Sequence, residues 1–249
     1  MLQYSAMDSI PLHKFLVEAG VGARRQAVAA VKLGRITVNG KAAASYTMPV
    51  YPEFDEITCD GKLLKSHHQA KIVLMLNKPA GLLSTTSDDR GRRTVLDILP
   101  PEYRGLGIYP VGRLDQDTTG LLLLTNDGNL TYRLTHPKFE LGKEYLVHVD
   151  GTLSPREKEE MEKGLLLDDG LTSPAAVSEI GYDPPFNYSI VIHEGRTRQV
   201  RRMFAYLGHL VRDLKRVRIG NLKLGNLKEG EFRKLLPQEI GNLLKSHGE

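Results

Sequence analysis

The run Leu121-Leu122-Leu123-Leu124 constrains this chain more than any other stretch. A continuous apolar run closed by turn residues, here Thr125-Asn126-Asp127-Gly128, reads as a buried strand. Directly before it stands Val111-Gly112-Arg113-Leu114-Asp115-Gln116-Asp117-Thr118-Thr119-Gly120, a short loop with one arginine and two aspartates. Charged side chains set on a rigid buried strand are held in fixed positions, which makes the loop a candidate site. The same acids could instead cap neighbouring backbone groups. The residues alone leave both readings open.

Of the 249 residues, 41% are hydrophobic and 26% charged. That suits one large domain, or a large and a small one, and excludes a wholly disordered chain. A single cysteine, Cys59, excludes an internal disulfide and any multi-cysteine zinc site. In Ile57-Thr58-Cys59 it reads as a small buried apolar residue. No segment approaches the roughly 18 apolar residues of a membrane span, and the first residues show no secretory signal, so a cytoplasmic protein is expected. The formal charge is only +4, so the placement of cations matters more than their total.

Leu12, Phe15, Leu16 and Ala19 fall at helical spacing up to Gly20, and a second helix is expected from Ala23 to Leu33. Arg35 to Val38 reads as a strand that turns back at Asn39-Gly40. Residues 10–65 thus form a small unit, residues 1–10 a loose end, and Lys65-Ser66-His67-His68-Gln69 a polar linker. A larger unit spans 70–240. Its expected strands lie at 71–77, 107–112, 121–125, 143–149, 188–193 and 231–236, and its helices near 128–134, 155–163 and 197–207. Strands and helices interspersed in this way indicate an α+β fold, a mixed or antiparallel sheet flanked by helices.

Arg24 and Arg25 open the second helix, where cations oppose the helix dipole. Free helix N–H groups beside two guanidinium groups suit a phosphate, and a solvated charge pair is the equal alternative. A denser basic stretch runs from Arg196 through Arg198, Arg201 and Arg202 to Lys215-Arg216-Val217-Arg218. On a helix over 197–207, Val200, Met203, Phe204 and Leu207 form one apolar stripe, and Arg198 and Arg202 point away from it. Arg201 lies at the margin, about 100° from the centre of the stripe. A partly buried arginine wants a carboxylate, and Asp115 is the expected partner. The bland alternative is a structural ion pair or a free surface arginine. Arginines clustered beside an acidic loop argue for a polyanion, with nucleic acid favoured over membrane.

Gly112-Arg113-Leu114-Asp115-x-x-Thr118-x-Gly120 with the leucine run and Thr125-Asn126-Asp127-Gly128 resembles the signature of the ribosomal pseudouridine synthases of the RsuA/RluB type. Further matches follow in Leu76-Asn77-Lys78-Pro79-x-Gly81, Lys143-x-Tyr145, Glu194-Gly195-Arg196-x-Arg198-Gln199-Val200-Arg201-Arg202-Met203 and Leu214-Lys215-Arg216-Val217-Arg218-Ile219-Gly220. Residues 10–65 resemble the S4-type RNA-binding domain that precedes these enzymes, although His13 stands where they commonly carry Asp. Ser84 to Asp88 with Gly91 to Val95 resembles the large-subunit branch.

The resemblance implies isomerisation of uridine to pseudouridine in ribosomal RNA, with 23S RNA favoured. Asp115 matches the nucleophile, Tyr145 the tyrosine against the target base, and Arg201 the arginine on the catalytic carboxylate. Leu214 matches an apolar pocket residue. Arg113, Arg198, Arg202 and Arg216, with Arg24 and Arg25, are expected to hold the RNA. Neither metal nor other cofactor is expected, no membrane partner is expected, and the chain is expected to be a monomer, with ribosome-assembly intermediates as further partners. The alternatives are a small-subunit (16S) enzyme or a non-catalytic ribosome-assembly factor. A carboxylate glycosidase lacks a clear second acid, Asp117 being the only one nearby.

Overall fold

The structure, a computed structural model, describes residues 9–52, 54–65, 70–181 and 183–245. Contacts divide the chain into two units, residues 1–70 and 71–249. The end at 1–8 and the linker residues 66–69, with His67 and His68, lie outside the described residues.

In the first unit, α1 (Leu12–Glu18) and α2 (Arg24–Lys32) bury Leu12, Phe15, Leu16, Ala27 and Ala30 against Ile36, Val38 and Ile57. The strand β1 (Ile36–Val38) turns into β2 (Lys41–Ala42) through Asn39 and Gly40, at φ 52° and 75°. That is the mirror-image turn this dipeptide favours. The strand β3 (Ile57–Cys59) pairs with β1, and β4 (Lys62–Leu63) with β3. The unit starts at Ile10 and Pro11, which pair with Val50 and Pro49. One expectation changes here. Cys59 is only partly buried. His13 takes a local role, its Nδ1 lying 2.9 Å from Tyr46 O.

The second unit is built on one nine-stranded sheet. Its strands are β5 (Val73–Lys78), β6 (Tyr109–Val111), β7 (Thr119–Thr125), β8 (Lys143–Val149), β9 (Ala176–Glu179), β10 (Tyr188–Ile192), β11 (Val211–Ile219), β12 (Leu222–Lys223) and β13 (Phe232–Lys234). The path runs β9-β10-β8-β11-β7-β5-β13, with β6 on β7 and β12 on β11. All pairings are antiparallel except β11 on β7, which joins only Lys215 to Thr119 and Arg216 to Gly120. Beyond Gly120, β6 takes over as the neighbour of β7. The sheet is therefore two antiparallel halves joined at a short parallel seam.

The leucine run of β7 sorts by face, as strand geometry requires. Leu121 and Leu123 pack with Leu130 and Leu134 of α3 (Gly128–Thr135) and Leu243 of α6 (Pro237–Lys245). Leu122 and Leu124 pack with Tyr145, Val147 and Leu214, with Met161 of α4 (Pro155–Lys163), and with Val200, Met203 and Phe204 of α5 (Gln199–Tyr206). All four leucines are at most 1% exposed, and each such burial contributes about 1.5–3 kcal/mol. The helix α3 starts where Asp127 accepts from Asn129 N and Leu130 N, satisfying two free donors of its first turn. The longest strand, β11, was not expected: Arg212, Lys215, Arg216 and Arg218 break up its apolar pattern. Neither β9 nor α6 was expected either. Among the described residues no helix is long and apolar enough to cross a membrane.

Candidate active site

The loop 112–118 connects β6 to β7 and sits at the parallel seam. Thr118 N donates to Asp115 O at 3.1 Å, which makes 115–118 a tight turn. Ser84 Oγ donates to Leu114 O at 2.8 Å, and Leu114 N returns a bond to it at 3.1 Å. Beneath the turn, Lys78 at the end of β5 is wholly buried. Its Nζ donates to Pro79 O, Gln116 O and Thr118 O at 2.9, 3.2 and 3.0 Å. Burial pulls this amine down to about 8, against the charges of Asp117 and Asp115. Sequence reasoning assigned Lys78 no role, although a lysine ending a mostly apolar strand was a visible signal.

The two loop acids have different surroundings. Asp117 takes a bidentate bond from Arg198, at 3.1 and 3.2 Å. Arg201 Nη2 lies 3.4 Å from Asp117 Oδ2 and donates to Asp117 O at 3.2 Å, while Nη1 donates to Val211 O at 3.0 Å. Burial pushes the Asp117 carboxyl up, but the Arg198 bond and both guanidinium charges outweigh it and hold the group below its usual value. Asp115 is partly buried and makes no side-chain hydrogen bond or ion pair among the described residues. The expected Arg201–Asp115 pair is thus corrected to Arg201–Asp117. Helical geometry placed Arg201 rightly at the margin, with a side chain 10% exposed. It could not say which of two acids in one turn faces α5.

The basic stretch is a second correction, because it is not a free cationic face. Arg202 pairs with Asp168 and Asp169, Arg196 with Glu194 and Asp169, and Arg218 with Glu144. Arg216 is 3% exposed and cannot reach solvent phosphates. It points into the core from β11, opposite Tyr145 of β8, and Nη1 donates to the Tyr145 hydroxyl at 3.3 Å. Leu214, 5% exposed, stands opposite Val147 on the same face. Lys143, two residues before Tyr145, has an amine brought to about 8 by burial and by the Arg216 charge. Arg113 is exposed and makes no ion pair among the described residues, and the same holds for Arg24 and Arg25 in the first unit. At the start of α2, Ala23 has no capping side chain, but Gln26 Oε1 accepts from Ala23 N at 2.8 Å. A cavity of about 410 Å³ adjoins the turn, lined by Asp117, Thr119, Leu214, Phe186 and Lys215 among others. Asp115 and Tyr145 do not line it, so it approaches the turn from the Asp117 side.

The profile of the RNA pseudouridylate synthase family matches residues 72–206, and that of the S4 domain matches residues 10–53. This chain belongs to the RNA pseudouridylate synthase family. It is 41% identical over 245 residues to the ribosomal large subunit pseudouridine synthase B of Bacillus subtilis, covering 95% of this chain and 97% of that protein. An uncharacterised RNA pseudouridine synthase of Aquifex aeolicus is 39% identical over 246 residues, covering 97% and 96%. A crystal structure of a pseudouridylate synthase superposes with a TM-score of 0.66 at 36% identity, over 94% of this chain and 100% of the other. Within the second unit the acid loop lies at the parallel seam with Arg198 and Arg201 on Asp117, and Tyr145 stands opposite Arg216 of the seam strand β11.

Proposed function

We propose that this chain converts a specific uridine of large-subunit ribosomal RNA to pseudouridine, with Asp115 as nucleophile. The observation that carries the reading is the split between the loop acids: Asp117 is engaged by Arg198 and Arg201, whereas Asp115 makes no side-chain hydrogen bond or ion pair among the described residues. A carboxylate clamped by two guanidinium groups is a poor nucleophile, and an unclamped one in a stapled turn is a good one. The target base leaves its helix or loop, at a cost of a few kcal/mol. Tyr145 recovers part of that by stacking, about 1–3 kcal/mol. The N-glycosidic bond breaks, uracil turns, and its C5 bonds to C1′. The proton lost from C5 is balanced by one gained at N1, so no redox partner is needed.

Substrate choice rests on the full-length likeness to the large-subunit enzyme named above. Residues 10–65 supply a second grip on the RNA, with Arg24 and Arg25 on phosphates, and residues 70–240 perform the chemistry. This reading places the protein in the cytoplasm, acting as a monomer on ribosomal RNA or an assembling particle. The test compares Asp115→Asn with Asp117→Asn on ribosomal RNA transcripts. Asp115→Asn is expected to lose pseudouridine formation by at least about 10⁴-fold while folding and RNA binding persist. Asp117→Asn is expected to keep the chemistry with a looser loop. The reverse pattern would make Asp117 the nucleophile.

A further inference from the structure

Arg216 is the only arginine from 196 to 218 without an acid partner among the described residues. Nε donates to Leu121 O at 2.7 Å and Nη1 to the Tyr145 hydroxyl, while Nη2 is buried without a partner. A buried guanidinium lacking a carboxylate is unfavourable for stability. Its neighbour Lys143 adds positive charge and does not offset it. What Arg216 touches explains it better than what it stabilises.

The backbone beneath it is clamped. Across the seam Arg216 faces Gly120, where an added Cβ would lie 2.2 Å from Arg216 O. The guanidinium is therefore aimed from a base that cannot slide, with its carbon 5.9 Å from the Tyr145 ring centre. Because Arg216 donates to the phenolic oxygen, the hydroxyl proton has to point elsewhere, away from the cation.

We propose that Arg216 is a positioning residue for the isomerisation: it fixes the Tyr145 ring and turns the phenolic O–H toward the target base. The proposal rests on the reading of Tyr145 as the residue against that base. It makes Tyr145 a directed hydrogen-bond donor as well as a stacking surface.

The test measures kcat and KM on ribosomal RNA for Tyr145→Phe, Arg216→Lys, Arg216→Gln and the Arg216→Gln/Tyr145→Phe double variant, with thermal melting as the folding control. Tyr145→Phe and Arg216→Gln are each expected to lower kcat about 10- to 100-fold, the loss of one hydrogen bond to a charged group, with KM within about twofold. The double variant is expected to be no slower than the slower single one, because both remove the same contact. Arg216→Lys, which keeps the charge, is expected to recover part of the rate. A Tyr145→Phe enzyme with wild-type kcat overturns the proposal even if Arg216→Gln fails to fold. Multiplying losses in the double variant, or an effect of Arg216→Lys on KM alone, overturns it as well. Asp115→Asn separates the two levels: if it is inactive while Tyr145 and Arg216 are uncoupled, only Arg216's role is lost. If it stays active, the reading beneath falls.

Discussion

At the residue scale, two aspartates two positions apart differ because the turn aims one at α5 and leaves the other without a hydrogen bond or ion pair among the described residues. Lys78 holds that turn, and its chemistry predicts a pH dependence. Folded, Lys78 releases its proton near pH 8, against an ordinary value of 10.5. Between those values the unfolded chain binds more protons, so the contribution of Lys78 to stability improves as pH rises through the window and is least favourable below about 8. Activity should move the opposite way. A neutral amine has two N–H bonds for three carbonyls, so the turn loses a bond and kcat/KM declines above about pH 8. Lys78→Met is expected to be slower throughout and to lack that alkaline limb. A pH–rate profile that keeps the limb assigns it elsewhere, with Lys143 the first candidate.

At the element scale, the site depends on a seam only two residue pairs long. Gly120 has φ +102° and admits no side chain against Arg216. Gly120→Ala is expected to destabilise the second unit by about 3 kcal/mol or more, through clash and strain together. Gly107→Ala is the control, because its φ of +64° is also left-handed but nothing lies within 4 Å of the added carbon. That change should cost about 1 kcal/mol. Urea titration of both variants checks the difference, and equal losses would mean that the seam contributes no special constraint. The strand that makes the seam, β11, is also the one whose sequence hides it. Arg212, Lys215 and Arg218 pair with Asp150, Asp183 and Glu144, and Arg216 turns into the core, facts that pattern reading along the chain cannot supply.

At the scale of the whole molecule, most of the arginine charge near α5 is used internally. Ionic attraction to RNA is then left to exposed arginines that make no ion pair among the described residues, such as Arg113 in the acid loop, Arg90 and Arg93 in the loop before it, and Arg24 and Arg25 in the first unit. Replacing Arg113 or Arg93 with Ala is expected to weaken RNA binding and to reduce the slope of log affinity against log salt by about one each. Arg202→Ala should leave that slope nearly unchanged, because Arg202 already pairs with Asp168 and Asp169. Filter binding across a salt series measures both, and an equal fall for Arg202→Ala would show that its ion pairs open on RNA.

By itself the sequence determined the buried leucine strand, the hairpin at Asn39-Gly40, the α+β class and the acid-bearing loop. Each is written in local periodicity or turn chemistry, which acts over a few residues. Family likeness is equally linear, since ordered motifs survive as strings. Tertiary structure alone decided which acid Arg201 meets, that Arg216 is a core residue under Tyr145, and that Lys78 staples the turn. Those outcomes depend on contacts between residues 38 to 95 positions apart, set by strand register and by which face of the sheet each side chain takes. Neither can be read from spacing along the chain, because a shift of one residue in register turns every side chain to the other face.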